Sequence, residues 1–339
     1  MTIHVARARD RTHGLGYAAR SGVRPLHRAW KLHPATRGDP LTNLGKSAGW
    51  LSPSVVGVLC GAGAALCWAG GLVAARHGIA IGLWPLDVTL HRQLWAGLFF
   101  LPLVWSGGPA DIADVGLGRG TLLTIFGGVG LVLVSYSGFL LVPLGHGGVI
   151  QPSCAALGGL LLATLVVKEK LIATRAAGAA AIVLGLLVIG YEALSTFGTS
   201  GLVGDLCFAA AGFMFAIFGM LLKLWRITPI RAVAVTSVLS LVIVPIQAVF
   251  FGFDRLIAVG LYENVIQAIV QGVFSGAAAT FLFTRAVVLL GAARAAVFPA
   301  LVPPFTLLTG FLVLGVIPTA MQLVGMTIVL IGFRLTQKS

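Results

Sequence analysis

The chain has 339 residues, 58% of them hydrophobic and only 10% charged, with a mean hydropathy of +1.00. A water-soluble surface needs far more charge than that, so a soluble globular domain is excluded. The formal net charge of +13 would suit nucleic acid, but the placement of the basic residues points elsewhere.

Residues 1–50 stand apart. They hold nine Lys/Arg against Asp10 and Asp39, and no apolar run long enough for a secretory signal. A basic, disordered cytoplasmic tail is expected there, with a later start codon as the alternative. From residue 54 apolar segments recur. The expected spans are 54–75, 86–106, 120–142, 147–167, 172–191, 202–223, 229–251, 264–287, 292–314 and 318–335. Each is close to the roughly 20 residues that cross about 30 Å of hydrocarbon. Only helices satisfy their own backbone groups there, so an all-α membrane protein is expected.

The second half repeats the first at a shift of 147 positions. Gly57, Leu59, Cys60, Ala62 and Ala69 fall on Gly204, Leu206, Cys207, Ala209 and Ala216. Pro152, Gly178 and Gly185 fall on Pro299, Gly325 and Gly332. This divides the chain into repeats over 54–191 and 202–335, five spans each. An odd number of spans inverts the second copy, the pattern of secondary transporters whose site lies near the midplane between the halves.

Orientation follows from Lys and Arg. With the N-terminus inside, 20 of the 23 basic residues face the cytoplasm, Arg76 and Arg255 face out, and Arg92 remains within a span. That bias is the positive-inside pattern. It accounts for the net charge without nucleic acid and predicts a multi-pass protein of the cytoplasmic membrane with both termini inside. Cys60, Cys67, Cys154 and Cys207 lie in apolar segments without a CxxC pair and read as packing residues. No cofactor is expected. Gly61-Ala62-Gly63 follows no strand, there is no P-loop, and no His/Asp/Glu set has metal-ligand spacing.

Ten spans in two fivefold repeats, each opening on a Gly and a small-residue helix with one aromatic, resemble the EamA-type members of the drug/metabolite transporter superfamily. The carrying motifs are Gly57…Cys67-Trp68-Ala69 and Gly204-Asp205-Leu206…Phe215-Ala216, with the closing hairpin Val167-Lys168-Glu169-Lys170-Leu171…Gly178. In the second half the matching stretch is Leu314-Gly315-Val316-Ile317-Pro318…Gly325, and Val316 stands where the family usually has Glu. Arg92 matches a basic residue common early in the second span. The resemblance implies that spans one, three, four, six, eight and nine surround a solute pathway.

Site candidates follow from exceptions in the apolar pattern. Pro152 and Pro299 interrupt matching spans, which in inverted-repeat transporters marks the site; a packing kink is the bland reading. Gln151 and Ser153 flank the first break. Trp68 and its counterpart Phe215 are the bulky rings of small-residue helices. Tyr136, flanked by Ser135 and Ser137, has Phe283 as its counterpart. Arg92 can hold a substrate carboxylate, or turn outward with Asp87 as its partner. Asp87 and His91 share a helical face and are candidates for proton exchange. Asp205 reads as a helix-start residue, Glu169 as a hairpin anchor and Arg294 as an inner-edge anchor.

These observations favour a transporter, in the direction of export, of a small polar metabolite such as an amino acid, working by alternating access. The partners expected are that solute and the bilayer, with a second copy of the chain as a candidate. An intramembrane enzyme or lipid-handling protein would have to use Asp87 and His91. Val316 leaves open a transport-dead accessory or sensor.

Overall fold

The computed structural model describes residues 52–106, 115–166, 168, 172–290, 295 and 298–336. The expectations for the tail, Glu169, Arg294 and Lys338 fall outside these. Every regular element among the described residues is helical. Ser52 opens α1 (Pro53–Ala80) by accepting the Val55 N–H at 3.4 Å, with Pro53 in the first turn, where a missing donor costs nothing. α2 covers Pro85–Ser106, α3 Leu117–Gly127, α4 Val129–Gly138 and α5 Leu144–Leu165. The third expected span is thus broken at Gly128, where Ser240 Oγ accepts the Val129 N–H at 3.2 Å.

No loop separates the fifth and sixth expected spans. α6 (Ala173–Trp225) runs through both, and its one non-helical residue is Gly198, with φ 65° and ψ −153°. That left-handed conformation suits a residue without Cβ, so a single glycine turns the chain between the arms 173–197 and 199–225. After α7 (Pro229–Leu239), helical turns continue to Phe251. α8 (Asp254–Gln267) begins well before the expected start of span eight and bends at Gly260. Asn264 Nδ2 meets the carbonyls of Leu256 and Gly260 at 2.6 and 2.7 Å around that bend. A π-helical stretch, Ala268–Ala278, leads into α9 (Ala279–Leu290).

The two prolines act differently. α5 continues through Pro152. Pro299 lies in a 3-10 turn, Phe298–Leu301, and α10 (Val302–Leu314) begins only afterwards, with Pro303 and Pro304 near its start. Prolines so closely spaced remove too many N–H donors for one unbroken helix. α11 (Ala320–Thr336) closes the described chain.

Six helical segments are long and apolar enough to cross a membrane: Pro53–Ala80, Leu117–Gly138, Leu144–Leu165, Ala173–Trp225, Ile230–Phe251 and Asp254–Leu290. Their outer faces carry Leu117, Leu187, Val249 and Leu312, each more than 60% exposed. In water such a belt would aggregate; in lipid it is solvated. The interior is packed by small residues, among them Ala64, Ala65, Ala69 and Ala211, all fully buried.

The first arm of α6 and α11 touch backbone to backbone. A Cβ on Gly178 would lie 2.7 Å from Gly332 O, and one on Gly332 2.7 Å from Gly178 O. Gly185 and Gly325 meet likewise, at 2.7 and 3.0 Å. The 147-residue shift makes Gly178 the counterpart of Gly325, and Gly185 that of Gly332. Each glycine therefore faces the counterpart of the other, in antiparallel order. That reciprocity is what a two-fold axis between repeats generates.

Candidate functional site

A cavity of about 650 Å³ lies between the halves, within the range of small-molecule sites. Trp68 of α1, Arg92 of α2, Tyr136 of α4, Gln151 and Pro152 of α5, Phe215 of the second α6 arm, Phe283 of α9 and Pro299 all line it. The eight pathway candidates are thus brought together. The rings of Trp68 and Phe283 are 5.4 Å apart and inclined at 51°.

Arg92 forms the polar floor. Its guanidinium donates to Ser275 Oγ, to Ser275 O at 3.3 Å and to the Tyr136 hydroxyl at 3.4 Å. Tyr136 donates onward to Gln271 Oε1 at 2.7 Å, and Gln271 Nε2 donates to Gly71 O at 2.8 Å. Ser135 donates to Gln151 Oε1 at 2.6 Å. No carboxylate among the described residues pairs with Arg92.

The alternative in which Arg92 turns outward to Asp87 is corrected by this arrangement. Five residues of α-helix put the two on different faces of α2. Asp87, 1% exposed, accepts instead from the Trp84 N–H at 2.8 Å, Gln247 Nε2 at 2.8 Å and Arg255 Nε at 3.3 Å. Arg255 in turn lies 4.0 Å over the Trp84 ring. His91 Nε2 is 3.0 Å from Asn264 Oδ1, and Trp95 Nε1 donates to His91 Nδ1 at 3.4 Å. Neither Asp87 nor His91 reaches the cavity.

The cavity runs toward one end of the bundle, where Arg175, Lys223 and Thr336 join its lining. The other end is tied by polar pairs: Asp87 with Gln247 and Arg255, His77 with Glu263 at 3.0 Å, His146 with Asp205 at 2.9 Å, and Gln322 with Glu192 at 3.4 Å. Every one of these pairs joins the first half of the chain to the second.

The model of the EamA-like transporter family matches residues 55–191 and again 202–336. The chain belongs to the EamA-like transporter family. It is a multi-pass membrane protein of the drug/metabolite transporter superfamily, whose members are transporters. A solved structure described only as "Crystal structure of protein" shares the fold, with a TM-score of 0.58 over 82% of this chain and 95% of that one, at 16% identity. No curated protein matches the chain by sequence.

Sequence reasoning missed several polar residues of this EamA-like chain. Gln267 and Gln271, fully buried, donate to Ala74 O and Gly71 O across the seam with α1. Their spacing of four within an apolar helix was the available signal. Asp205 is no helix-start residue: it lies well inside the second α6 arm, 6% exposed, on His146. Glu192, expected outside the membrane, is 8% exposed. His146, read as part of a turn, is fully buried in the first turn of α5. All four cysteines are free.

Proposed function

We propose that the protein is a ten-helix secondary transporter with two inverted five-helix repeats, exporting a small metabolite that bears a carboxylate, such as an amino acid, across the cytoplasmic membrane. Ten crossings result when α3 and α4 count as one and the arms of α6 as two. The reciprocal contacts of Gly178 with Gly332 and of Gly185 with Gly325 support the inversion.

The observation that carries the substrate class is Arg92. It stands at the mid-bundle end of the cavity without a carboxylate of its own, between Tyr136 and Ser275. A guanidinium in a membrane interior needs an anion or water, and a carboxylate matches its fork of donors. Trp68, Phe215 and Phe283 supply apolar rings for the rest of the solute. Gln151 adds an adaptable polar group beside the Pro152 break.

Alternating access is supported by the asymmetry of the two ends. Under the positive-inside rule the end with Arg175 and Lys223 is cytoplasmic, so this conformation takes solute from inside. The opposite end is held by pairs joining the halves. Rocking the halves would break those pairs and close the cytoplasmic mouth.

The test is a flux screen. Proteoliposomes containing the full chain are loaded with a panel of labelled amino acids and other small carboxylates, and efflux is followed. Efflux of at least one carboxylate that Arg92→Gln abolishes supports the reading. A panel with no efflux, or efflux indifferent to Arg92→Gln, refutes it.

A further inference from the structure

Away from the cavity, at the end tied by polar pairs, four helical arms bury a second polar cluster. His146 begins α5, Glu192 lies late in the first α6 arm, Asp205 lies in the second arm, and Gln322 is on α11. Their exposures are 0%, 8%, 6% and 4%. His146 Nδ1 is 2.9 Å from Asp205 Oδ1, and Gln322 Nε2 donates to Glu192 Oε1 at 3.4 Å. Gln322 also packs on Gly145, next to His146, and Glu192 is within electrostatic reach of Asp205. Three polar atoms are left over: His146 Nε2, Glu192 Oε2 and Asp205 Oδ2 are buried with no hydrogen-bond partner.

The charges do not balance without an extra proton. An imidazolium with two carboxylates leaves one negative charge. No Lys or Arg among the described residues pairs with either acid. The surroundings offer nothing cationic: α5 adds Cys154, α10 adds Thr306 against Gly148, and Phe197 covers the imidazole. Tyr136 of α4 is engaged with Arg92 and Gln271. A buried uncompensated charge costs several kcal/mol. The residues are not placed to hold a metal ion. Asp87, by contrast, has the cation of Arg255 beside it.

We propose that His146, Glu192 and Asp205 form a proton-binding site whose loading controls the opening of this end of the transporter. A proton from water adds to a free carboxylate oxygen, Glu192 Oε2 or Asp205 Oδ2; one O–H bond forms and no other bond changes. The loaded cluster is neutral and tolerates burial, so the end stays closed. Loss of the proton leaves a net charge that is stabilised only where water reaches it, so the end opens. The two bonds of the cluster join the halves, so the same event separates them. The gating role rests on the alternating-access reading; proton binding does not.

Two measurements on the full chain test this. Infrared titration in lipid nanodiscs, between about pH 5 and 9, should show a carboxylic-acid carbonyl band that disappears as pH rises and is lost in Glu192→Gln or Asp205→Asn. For opening, the four native cysteines are replaced and a cysteine is placed at Ala193, which is fully buried. Its labelling rate with an impermeant maleimide is divided by that of a cysteine at exposed Ser195, which cancels the reagent's own pH dependence. The ratio should rise with pH, by up to about tenfold for each pK unit separating the closed and open forms. In Glu192→Gln, where the glutamine still bonds Gln322, it should stay low throughout.

An absent infrared band in the unmodified protein overturns the site, even if the variants fail to fold. A titrating band with a flat ratio overturns the gate, and so does a pH step that survives in Glu192→Gln. Absence of solute flux with both pH responses intact would refute transport and leave the proton site standing.

Discussion

The Trp68 ring, from the first repeat, packs 5.4 Å from Phe283, which holds in the second repeat the position of Tyr136 in the first. The pair forms part of the cavity wall at the seam between halves. Trp68→Ala and Phe283→Ala should each reduce flux severalfold while lowering stability little, because one side of each ring already faces open space. A fully enclosed aromatic would cost roughly 3–5 kcal/mol on truncation. Flux and melting temperature measured together decide; a large drop in melting temperature with normal flux per folded molecule would make these core residues.

Arg92→Gln should weaken binding of a transported carboxylate by about tenfold or more, since hydrogen bonds to charged groups are worth about 1.5–3 kcal/mol. Arg92→Lys should restore little. A single ammonium cannot hold Ser275 and Tyr136 and still present a fork to the ligand. Solute Kd by calorimetry, compared across the three proteins, is the check; full rescue by lysine would show that only charge matters.

Gly185→Val should destabilise the protein by about 1–3 kcal/mol, as overpacking does. Its Cβ would lie 2.7 Å from the Gly325 carbonyl, and backbone cannot step aside as a side-chain tip can. Gly159→Val, where nothing lies within 4 Å of the added Cβ, is the control. Thermal unfolding in detergent should separate the two.

Orientation is tested by labelling. In a cysteine-free background, a cysteine at Ser195 should react with an impermeant reagent from outside intact cells, and one at Thr228, also exposed, should not. External labelling at position 228 would invert the topology and reverse which side the cavity faces.

The sequence by itself determined the class and the repeat. Hydropathy allows only helices in lipid, and the 147-residue correspondence already aligned Gly178 with Gly325 and Gly185 with Gly332. It also singled out the eight residues around the cavity, because a Trp among glycines or an Arg within a span is conspicuous against an apolar background. The tertiary structure decided what those residues face. Periodicity could not choose between Arg92 turning to Asp87 and turning to Ser275, since Ser275 is distant in sequence and its approach depends on the π-helical stretch and the bare surface of Gly71. Helix boundaries were equally hidden. A run of apolar residues reads alike whether Gly198 turns the chain or a loop does, and Pro299 resembles Pro152 until its neighbours Pro303 and Pro304 end the helix. Above all, His146, Glu192 and Asp205 are unremarkable near predicted span ends. Only the packing of α5 and α11 around the two arms of α6 removes them from water and makes their charges depend on one another.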